Sequence, residues 1–436
     1  MPANPLILCI DFDSFFASCE QHFNPNLRGV PIGVTAANGR TCIIAASREA
    51  KKYGVKTGTR TWDALRMCPT IKFVKSDFER YYEITKKFLS ICSSYAPDVE
   101  LYSIDELFID LTPALHLYPS LDWLVTDIKN RIKNEVGEVI TVSVGASHNK
   151  LLAKLASGLE KPNGFVQITH DNLDSIYAII ALTAVSGLGG RLQIRLNAMG
   201  IYTLFQLRKC PLEYLKAEFG PACALHLKAI ADGKDVSLVK SYKEMDSIKS
   251  VGRNYCLPAN EYDQIIILQI VYELCEEIAI KLRRLNKKAR TIGLSLQGER
   301  MMHGQKTTTF YMNKGKDLFE ICKFLYDSWK WRGNSHSNSI TNKVYGQEAR
   351  PEPERREGEW VRQISVWTSN LTDDNNLNTS LFENPRRDDV LKAVDRLNDK
   401  YGGHIVRSGY VAQAPKLKTV PNGFLADKWE RLKLTQ

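Results

Sequence analysis

Residues 6–16 read Leu-Ile-Leu-Cys-Ile-Asp-Phe-Asp-Ser-Phe-Phe, an apolar run followed by two aspartates and two phenylalanines, and they predict the first elements of the chain. The run from Leu6 to Ile10 is typical of a buried β-strand, because it is short, apolar and rich in branched residues. Asp13-Ser14 has the residue types that begin a helix. The pattern therefore predicts a strand, an acidic turn and a helix in quick succession.

A second acidic cluster, Asp105-Glu106, lies in another strand-like stretch. This stretch runs from Val99 to Ile104 and resumes at Leu107 to Ile109. Because polar residues at the ends of neighbouring strands lie at the same side of a sheet, we expect Asp11, Asp105 and Glu106 to converge at one sheet edge.

Three carboxylates at one point suit Mg²⁺, which prefers oxygen ligands and binds together with substrate phosphates. Two such ions, about 3.5–4 Å apart, serve polymerases, nucleases and phosphatases alike. The residues alone leave a second interpretation open, in which the carboxylates only cap strand ends, because short acidic motifs often match by chance.

Longer blocks around the carboxylates resemble the motifs of the Y-family (UmuC/DinB-like) translesion DNA polymerases. The blocks are residues 11–20 (Asp-Phe-Asp-Ser-Phe-Phe-Ala-Ser-Cys-Glu), 45–56, 102–106 (Tyr-Ser-Ile-Asp-Glu), 143–147, 150–154 and 161–164 (Lys-Pro-Asn-Gly). They follow the family order at family-like spacing, and the resemblance is taken to extend over most of residues 5–300. The resemblance implies an α+β multidomain fold: a right-hand polymerase with a ferredoxin-like palm, small fingers, a helical thumb with a helix-hairpin-helix, and an α/β little-finger domain.

The resemblance also implies domain limits. The palm is expected at residues 1–18 and 77–165, the fingers at 19–76, the thumb at 166–240, the little finger at 245–370 with a polar insertion at 331–359, and a C-terminal tail at 371–436. A length of 436 residues agrees with several domains, since single domains usually hold about 100–200 residues.

The family likeness assigns roles to the acidic residues. Asp11, Asp105 and Glu106 are the implied catalytic residues, and the same three with the carbonyl oxygen of Phe12 are the implied metal ligands. The implied cofactor is a pair of Mg²⁺ ions, with Mn²⁺ as a substitute.

The nucleotide site is expected next to these ligands. The implied nucleotide-binding residues are Phe15, Phe16, Ala45, Arg48, Lys51 and Lys161. Phe16 matches the steric gate that rejects ribonucleotides. From geometry alone, adjacent Phe15 and Phe16 cannot face the same way on a helix, so one is expected in the core and one at the site. Many relatives carry Tyr in place of Arg48 and Arg in place of Lys51, so each phosphate contact stays an expectation.

DNA contacts are predicted in two regions. Gly187, Gly189 and Arg191 lie in a Gly-rich stretch that looks like a helix-hairpin-helix, whose backbone N–H groups bind phosphates. Lys249, Arg253 and Arg290 lie in the predicted little finger. Phosphate contacts of this kind give affinity without sequence preference.

The tail holds one further motif, Asn378-Thr379-Ser380-Leu381-Phe382. It resembles the peptide by which bacterial polymerases bind the sliding clamp, with Asn378, Leu381 and Phe382 as the contacts. Two apolar side chains on a polar strip suit a hydrophobic pocket. The alternative is a short packing segment. A helix is predicted from Asp388 to Tyr401 without an assigned purpose.

Composition restricts the setting. Fifty-nine Lys and Arg against 49 Asp and Glu give a net charge of +10, which favours a polyanionic partner. The ten cysteines contain no Cys-X-X-Cys pair, which argues against a zinc site and for a reducing compartment. No signal peptide and no membrane span is evident. We expect a cytoplasmic monomer without a membrane partner, with accessory subunits as an open possibility.

The resemblance thus implies a template-directed DNA polymerase of low fidelity that adds deoxynucleotides to a primer 3′-end in translesion synthesis. Its expected partners are primer-template DNA, dNTPs and the sliding clamp. A metal-dependent nuclease and a non-catalytic DNA-binding accessory are the rival hypotheses. The lesion preference and the choice between the UmuC and DinB branches stay open.

Overall fold

The computed structural model describes residues 5–36, 41–244, 248–332, 360–374, 385–401, 405–411, 417 and 420–422. These residues form two compact units. The first holds the described residues up to Glu244 apart from Thr41, and the second holds Thr41 and the described residues from Ile248 onward.

The first unit contains eight strands in its described part: β1 Ile7–Phe12, β2 Ile32–Thr35, β3 Ile43–Ala46, β4 Lys72–Lys75, β5 Val99–Leu101, β6 Glu106–Asp110, β7 Val142–Ser147 and β8 Phe165–Gln167. Its α-helices are α1 Phe15–Phe23, α2 Arg48–Lys52, α3 Thr61–Met67, α4 Phe78–Cys92, α5 Leu121–Arg131, α6 Lys150–Leu159, α7 Leu173–Ile179, α8 Gly190–Ala198, α9 Leu204–Lys209, α10 Leu212–Phe219 and α11 Pro221–Ala231. Short 3₁₀ turns lie at Pro25–Leu27, Leu115–Leu117 and Leu182–Ala184, and a π-turn at Ile132–Val136 follows α5 directly.

A five-stranded sheet with the order β5-β6-β1-β7-β8 forms the centre of this unit. Strand β1 is antiparallel to both neighbours, and only β7 and β8 run parallel. On one face, Cys9 and Phe108 pack with Ala153 of α6. On the other face, the ring of Phe12 lies 4.4 Å from that of Phe88 in α4. The sheet is therefore covered by helices on both faces, and β1 lies in its middle.

The predicted strand from Val99 to Ile104 is wrong at its end. Strand β5 stops at Leu101, and the backbone N–H groups of Tyr102 and Ser103 both donate to the carbonyl of Glu106, at 3.1 and 3.0 Å. The chain thus folds back on itself, and β5 pairs with β6 as an antiparallel hairpin. This turn places Asp105 just before β6.

A separate three-stranded sheet, β3-β2-β4, lies within residues 19–76. Strands β2 and β3 are antiparallel, while β2 and β4 are parallel. A small core of Ile43, Ala46, Ala50, Val55, Ala64, Cys68 and Ile71 joins β3 to α2 and α3. The Asn38-Gly39 pair between β2 and β3, whose residue types favour a hairpin turn, lies outside the described residues.

Helices α7 to α11 make up the rest of the first unit. Their buried core includes Leu196, Leu204, Leu207 and Leu227. Gly187 has a φ of 97° in the turn before α8, a conformation that favours glycine. Gly220, with a φ of 79°, separates α10 from α11.

The second unit has a five-stranded sheet and three described α-helices. Its strands are β9 Ser250–Glu261, β10 Lys287–Gly298, β11 Met301–Met312, β12 Val361–Asp373 and β13 Val420–Asn422; its helices are α12 Gln264–Arg284, α13 Gly315–Arg332 and α14 Pro385–Tyr401, and a 3₁₀ turn lies at Gly409–Val411. The sheet order is β11-β10-β12-β9-β13, with every neighbouring pair antiparallel. Side chains of α12 and α13 form one apolar core with the sheet, including Leu274, Ile278, Leu282, Leu294, Cys322 and Val366.

The segment after β12 packs back onto this unit. The guanidinium of Arg283 in α12 donates two hydrogen bonds, of 2.6 and 2.7 Å, to the carboxylate of Asp395 in α14. Arg407 pairs with Glu273, and the ring of Tyr410 lies 5.3 Å from that of Tyr272. The helix predicted at 388–401 is therefore tied to α12. Helix α13 reaches into the predicted insertion as far as Arg332, and residues 333–359 lie outside the described part.

All ten cysteines are free thiols, and six of them are buried. No helix among the described residues is long and apolar enough to cross a membrane.

Candidate active site

The acidic residues come together where β1 meets β6. In the antiparallel register Asp11 lies directly opposite Glu106, so both side chains leave the same face of the sheet. The backbone N–H of Phe12 donates to the carbonyl of Asp105 at 3.0 Å. The strand ends thus hold all three predicted carboxylates beside one another.

Each carboxylate has a different partner. Lys161 pairs with Asp11, Lys154 of α6 pairs with Glu106, and the hydroxyl of Ser103 donates to Asp105 at 2.5 Å. Burial raises the pKa of Asp11 to about 6; the positive charge of Lys161 opposes this rise, and the charges of Asp105 and Glu106 add to it.

The donor set fits a hard divalent cation by its chemistry. It offers three carboxylates and the carbonyl of Phe12, which lies 3.5 Å from the ammonium of Lys161, and such oxygens are the ligands of Mg²⁺. Within the described residues, no three His, Cys, Asp or Glu side chains surround a single point. Lys161, Lys154 and Ser103 each hold one of the three carboxylates, and a shared cation would take the place of these partners.

An aromatic cluster lies beside the carboxylates. Phe15 is only 3% exposed, and its ring stacks on Phe12 at 4.8 Å. Phe16 is only partly buried, and its ring stacks on Tyr81 at 4.7 Å with an interplanar angle of 25°. The two neighbouring phenylalanines thus divide as expected, with Phe15 in the core and Phe16 at the surface of the cluster.

The stacking partner of Phe16 is itself fixed. The hydroxyl of Tyr81 donates to the buried carboxylate of Glu20 at 2.5 Å. Burial, together with this bond, raises the pKa of Tyr81 well above its usual value. Tyr81 therefore stays a neutral donor, and the plane under Phe16 is rigid.

Two basic side chains near the carboxylates come from α2, the helix that follows β3 of the three-stranded sheet. Ser47 caps α2 by accepting the N–H of Ala50, and Arg48 and Lys51 follow on this short helix. Arg48 donates to the hydroxyl of Thr141, and the ammonium of Lys51 donates to that of Ser14 at 2.7 Å. Both predicted cations thus point to the region just after β1. The predicted residue Ala45 is buried in β3.

Asp13 was not assigned a role by the sequence. It is 3% exposed and accepts hydrogen bonds from the hydroxyls of Thr141 and Ser143, at 2.5 and 2.8 Å, and from the backbone N–H of Asn163 at 2.8 Å. Its carboxylate also lies 3.8 Å from Arg48. Asp13 therefore holds Thr141, Ser143 and Asn163 together next to the site. Its position two residues after Asp11 is the sequence feature that could have indicated this role.

The predicted DNA contacts of the first unit lie around the start of α8. Gly189 precedes the helix as its N-cap, and a Cβ added there would meet open space. Arg191 is exposed in the first turn of α8. The N-terminus of α8 is thus exposed, and the phosphate contact stays a prediction.

The predicted contacts of the second unit differ from one another. Lys249 and Arg290 are exposed. The predicted DNA contact of Arg253 is not supported. Its guanidinium lies 3.3 Å from the carboxylate of Glu277 in α12, and both side chains are largely buried. It faces the helical layer, so its position does not support a DNA contact.

The predicted clamp residues Asn378, Leu381 and Phe382 lie outside the described residues.

The chain is similar to known proteins along both units. The sequence model of the impB/mucB/samB family matches residues 10–158, and that of the impB/mucB/samB family C-terminal domain matches residues 248–381. The DNA polymerase IV of Moorella thermoacetica is 30% identical over 410 residues, which are 92% of this chain and 94% of the relative. That of Pelotomaculum thermopropionicum is 29% identical over 408 residues, with the same coverage of both chains.

A solved structure, a Y-family DNA polymerase chimera, matches with a TM-score of 0.69 at 24% identity and covers 84% of this chain and 99% of its own. This likeness confirms the predicted α+β multidomain fold. Taken with the matches along both units, it leads to one conclusion: the chain belongs to the impB/mucB/samB family, the Y-family of translesion DNA polymerases.

Proposed function

We propose that this chain extends a primer 3′-end with deoxynucleotides on a DNA template, using Asp11, Asp105 and Glu106 to hold two Mg²⁺ ions. The observation that carries the proposal is the register of β1 and β6, which sets Asp11 opposite Glu106 and next to Asp105. Phe16 and the cations of α2 lie around the same strand ends. A divalent metal requirement follows from the family, and Mg²⁺, with Mn²⁺ as a substitute, is the specific proposal.

The bound ions would activate the attacking 3′-oxygen and stabilise the leaving pyrophosphate. The protein's own part is to place charge. The carbonyl of Phe12 and the three carboxylates face one end of the sheet, and these oxygens would hold the ions in place of their present partners. Lys161, which pairs with Asp11 here, would then bind phosphate oxygens, since an ammonium is a flexible point charge.

Arg48 and Lys51 are proposed to bind the triphosphate. Both lie on α2, whose first turn is fixed by the Ser47 cap. Their present hydrogen bonds go to the hydroxyls of Thr141 and Ser14, which phosphate oxygens can replace. Ala45 is proposed to lie under the nucleotide without a polar contact, because it has no polar side chain.

Phe16 is proposed as the steric gate and Phe15 as its support. The ring of Phe16 stacks on that of Tyr81, so it could not easily move aside to make room for a 2′-hydroxyl. That hydroxyl is the atom that separates RNA precursors from DNA precursors.

Further parts of the proposal concern partners. Primer-template DNA is proposed to contact the backbone around Gly187 and Gly189, with Arg191, Lys249 and Arg290. Asn378, Leu381 and Phe382 are proposed to bind the sliding clamp. The palm, fingers, thumb and little-finger limits given above, a cytoplasmic location and a monomeric state belong to the same proposal.

The test is primer extension by the purified chain on an undamaged and an abasic-site template, with Mg²⁺ and four dNTPs, beside Asp105→Ala and Glu106→Ala. We expect extension by the wild type and a loss of at least about a thousandfold in either variant, comparable with removing one main charge-stabilising group. Primer-template affinity, measured by fluorescence anisotropy in the same samples, is expected to stay within about threefold.

Other outcomes separate the rival hypotheses. Substantial extension by either purified variant would contradict the assignment of the carboxylates. Degradation of a labelled duplex without dNTPs would favour a nuclease. DNA binding without extension by the wild type would favour an accessory protein.

A further inference from the structure

The loop Lys161–Gly164 carries Lys161 towards Asp11. It connects the end of α6 to β8 and has an unusual backbone. Asn163 has a positive φ of 59°. A Cβ added to Gly164 would lie 1.9 Å from the carbonyl oxygen of Glu160, so only glycine fits there. A loop of this kind needs external contacts to hold its shape.

Lys129 of α5 supplies one of these contacts. Its ammonium donates to the carbonyl of Asn163 at 2.7 Å and to that of Gly164 at 2.9 Å. The carbonyl of Gly164 also accepts the N–H of Val144 in β7 at 3.0 Å. Lys129 therefore bridges two successive carbonyls at the junction of the loop and β8.

Asp13 holds the same loop from its other side. The N–H of Asn163 donates to the Asp13 carboxylate at 2.8 Å, and that carboxylate is itself fixed by the hydroxyl of Ser143 at 2.8 Å. Asn163 is thus bound at its N–H by an anion and at its carbonyl by a cation. Two charge-assisted bonds on one residue are stronger and more directional than neutral ones.

We propose that Lys129 is a positioning residue for nucleotide binding, because it fixes the loop from which Lys161 reaches the triphosphate. The inference rests on the proposed function. Lys129 bonds the loop backbone and acts through Lys161. No role assigned from the sequence includes it.

The side chain is suited to this task. Lys129 is partly buried on α5, and burial lowers its pKa, while the negative charges of Asp13 and Glu160 oppose that change. Methionine at this position keeps the apolar stem and removes the donors, while arginine keeps charge and donors.

The experiment compares Lys129→Met, Lys129→Arg and Lys133→Met. Lys133 lies one turn further along the chain and is exposed, so it controls for loss of a positive charge in this region. For each variant, we would measure kcat and KM for a correct dNTP, hydrogen exchange in residues 160–166 and the thermal unfolding midpoint.

We expect Lys129→Met to raise KM by about tenfold or more with kcat changed far less, since a small displacement of a positioning group is costly. Exchange in residues 160–166 should rise. In Lys129→Arg, KM and exchange should return most of the way to the wild-type values. In Lys133→Met, KM and exchange should equal those of the wild type. In a Lys161→Met background, Lys129→Met should add little, because residues that act as one unit are not additive.

Several results would overturn the inference. One is unchanged exchange in Lys129→Met. Another is raised exchange with unchanged KM, which would make Lys129 purely structural. A third is full additivity with Lys161→Met. A wild type that incorporates no nucleotide would overturn the proposed function and the nucleotide part of this inference, and the exchange data would still decide whether Lys129 holds the loop.

Discussion

Phe15 and Phe16 are neighbours in the chain with different surroundings, and they give a matched pair for testing the gate. We expect Phe16→Ala to lower the preference for dATP over ATP by at least about tenfold, equivalent to about 1.4 kcal/mol, because the ring that would block a 2′-hydroxyl is gone. The measurement is the ratio of kcat/KM for the two nucleotides.

Phe15→Ala is the control. Phe15 is buried behind Phe16, with the two ring centroids 5.4 Å apart, so its removal should lower the free energy of unfolding by about 3–5 kcal/mol and increase ribonucleotide use less than Phe16→Ala does. An unchanged sugar preference in Phe16→Ala would contradict the gate.

At the same residue scale, helix geometry was enough to predict that one phenylalanine is buried and one is not. The partners of Asp13 could not be predicted. Thr141, Ser143 and Asn163 lie 128, 130 and 150 positions away along the chain, and no local pattern joins residues so far apart. The role of Lys129 could not be predicted either, because its partners are backbone carbonyls 34 and 35 positions away along the chain.

At the scale of elements, the contact between α6 and β7 depends on Gly145. A Cβ there would lie 2.1 Å from the carbonyl oxygen of Ala153, and backbone cannot yield as a flexible side chain does. We expect Gly145→Ala to lower the free energy of unfolding by about 1–3 kcal/mol, the usual cost of overpacking. Urea denaturation measures it.

Gly158, within α6, is the matched control. An added Cβ meets nothing within 4 Å. Gly158→Ala should therefore stabilise by up to about 1 kcal/mol, since alanine is the better helix former. Equal effects of the two substitutions would refute this account of the α6–β7 contact.

Some elements could be predicted from the sequence and others could not. Strand β1 and helix α1 followed from residues 6–16, because the apolar run and the helix start are local. The break after Leu101 was missed, since the apolar pattern continues past it and the turn depends on N–H bonds to the Glu106 carbonyl. Arg253 looked like a DNA contact until its pairing with Glu277 was known.

At the scale of the whole molecule, charge predicts salt-sensitive DNA binding. The net charge is +10, and residues 48–75 alone hold eight basic and two acidic side chains. We expect the Kd for primer-template to rise by at least about tenfold between about 50 and 200 mM salt, because bound cations displace counterions from DNA. Fluorescence anisotropy measures it.

Two single substitutions make this test specific. Lys249→Gln removes an exposed charge and should reduce the slope of log Kd against log salt by about 1. Arg253→Gln should leave the slope unchanged, because Arg253 faces α12. A Kd independent of salt would contradict the proposed phosphate contacts.

Multidomain α+β architecture was predictable at this scale, because the length suits several domains and the motif blocks within residues 11–164 resemble those of a multidomain family. The attachment of α14 was not. Its predicted pattern was that of a polar amphipathic helix, and its partner Arg283 lies 112 positions before Asp395. Ion pairs at such separations leave no trace in a single sequence.

The pairing of β13 with β9 has a consequence for any shortened form of the protein. Val420 and Asn422 lie opposite Asn254 and Gly252, yet the family model ends at residue 381. A chain cut there would retain every proposed catalytic side chain and still leave this length of β9 with unsatisfied backbone groups. An exposed edge strand can pair with other chains. We therefore expect such a truncation to self-associate and to give a poor yield of protein, although its catalytic residues are intact.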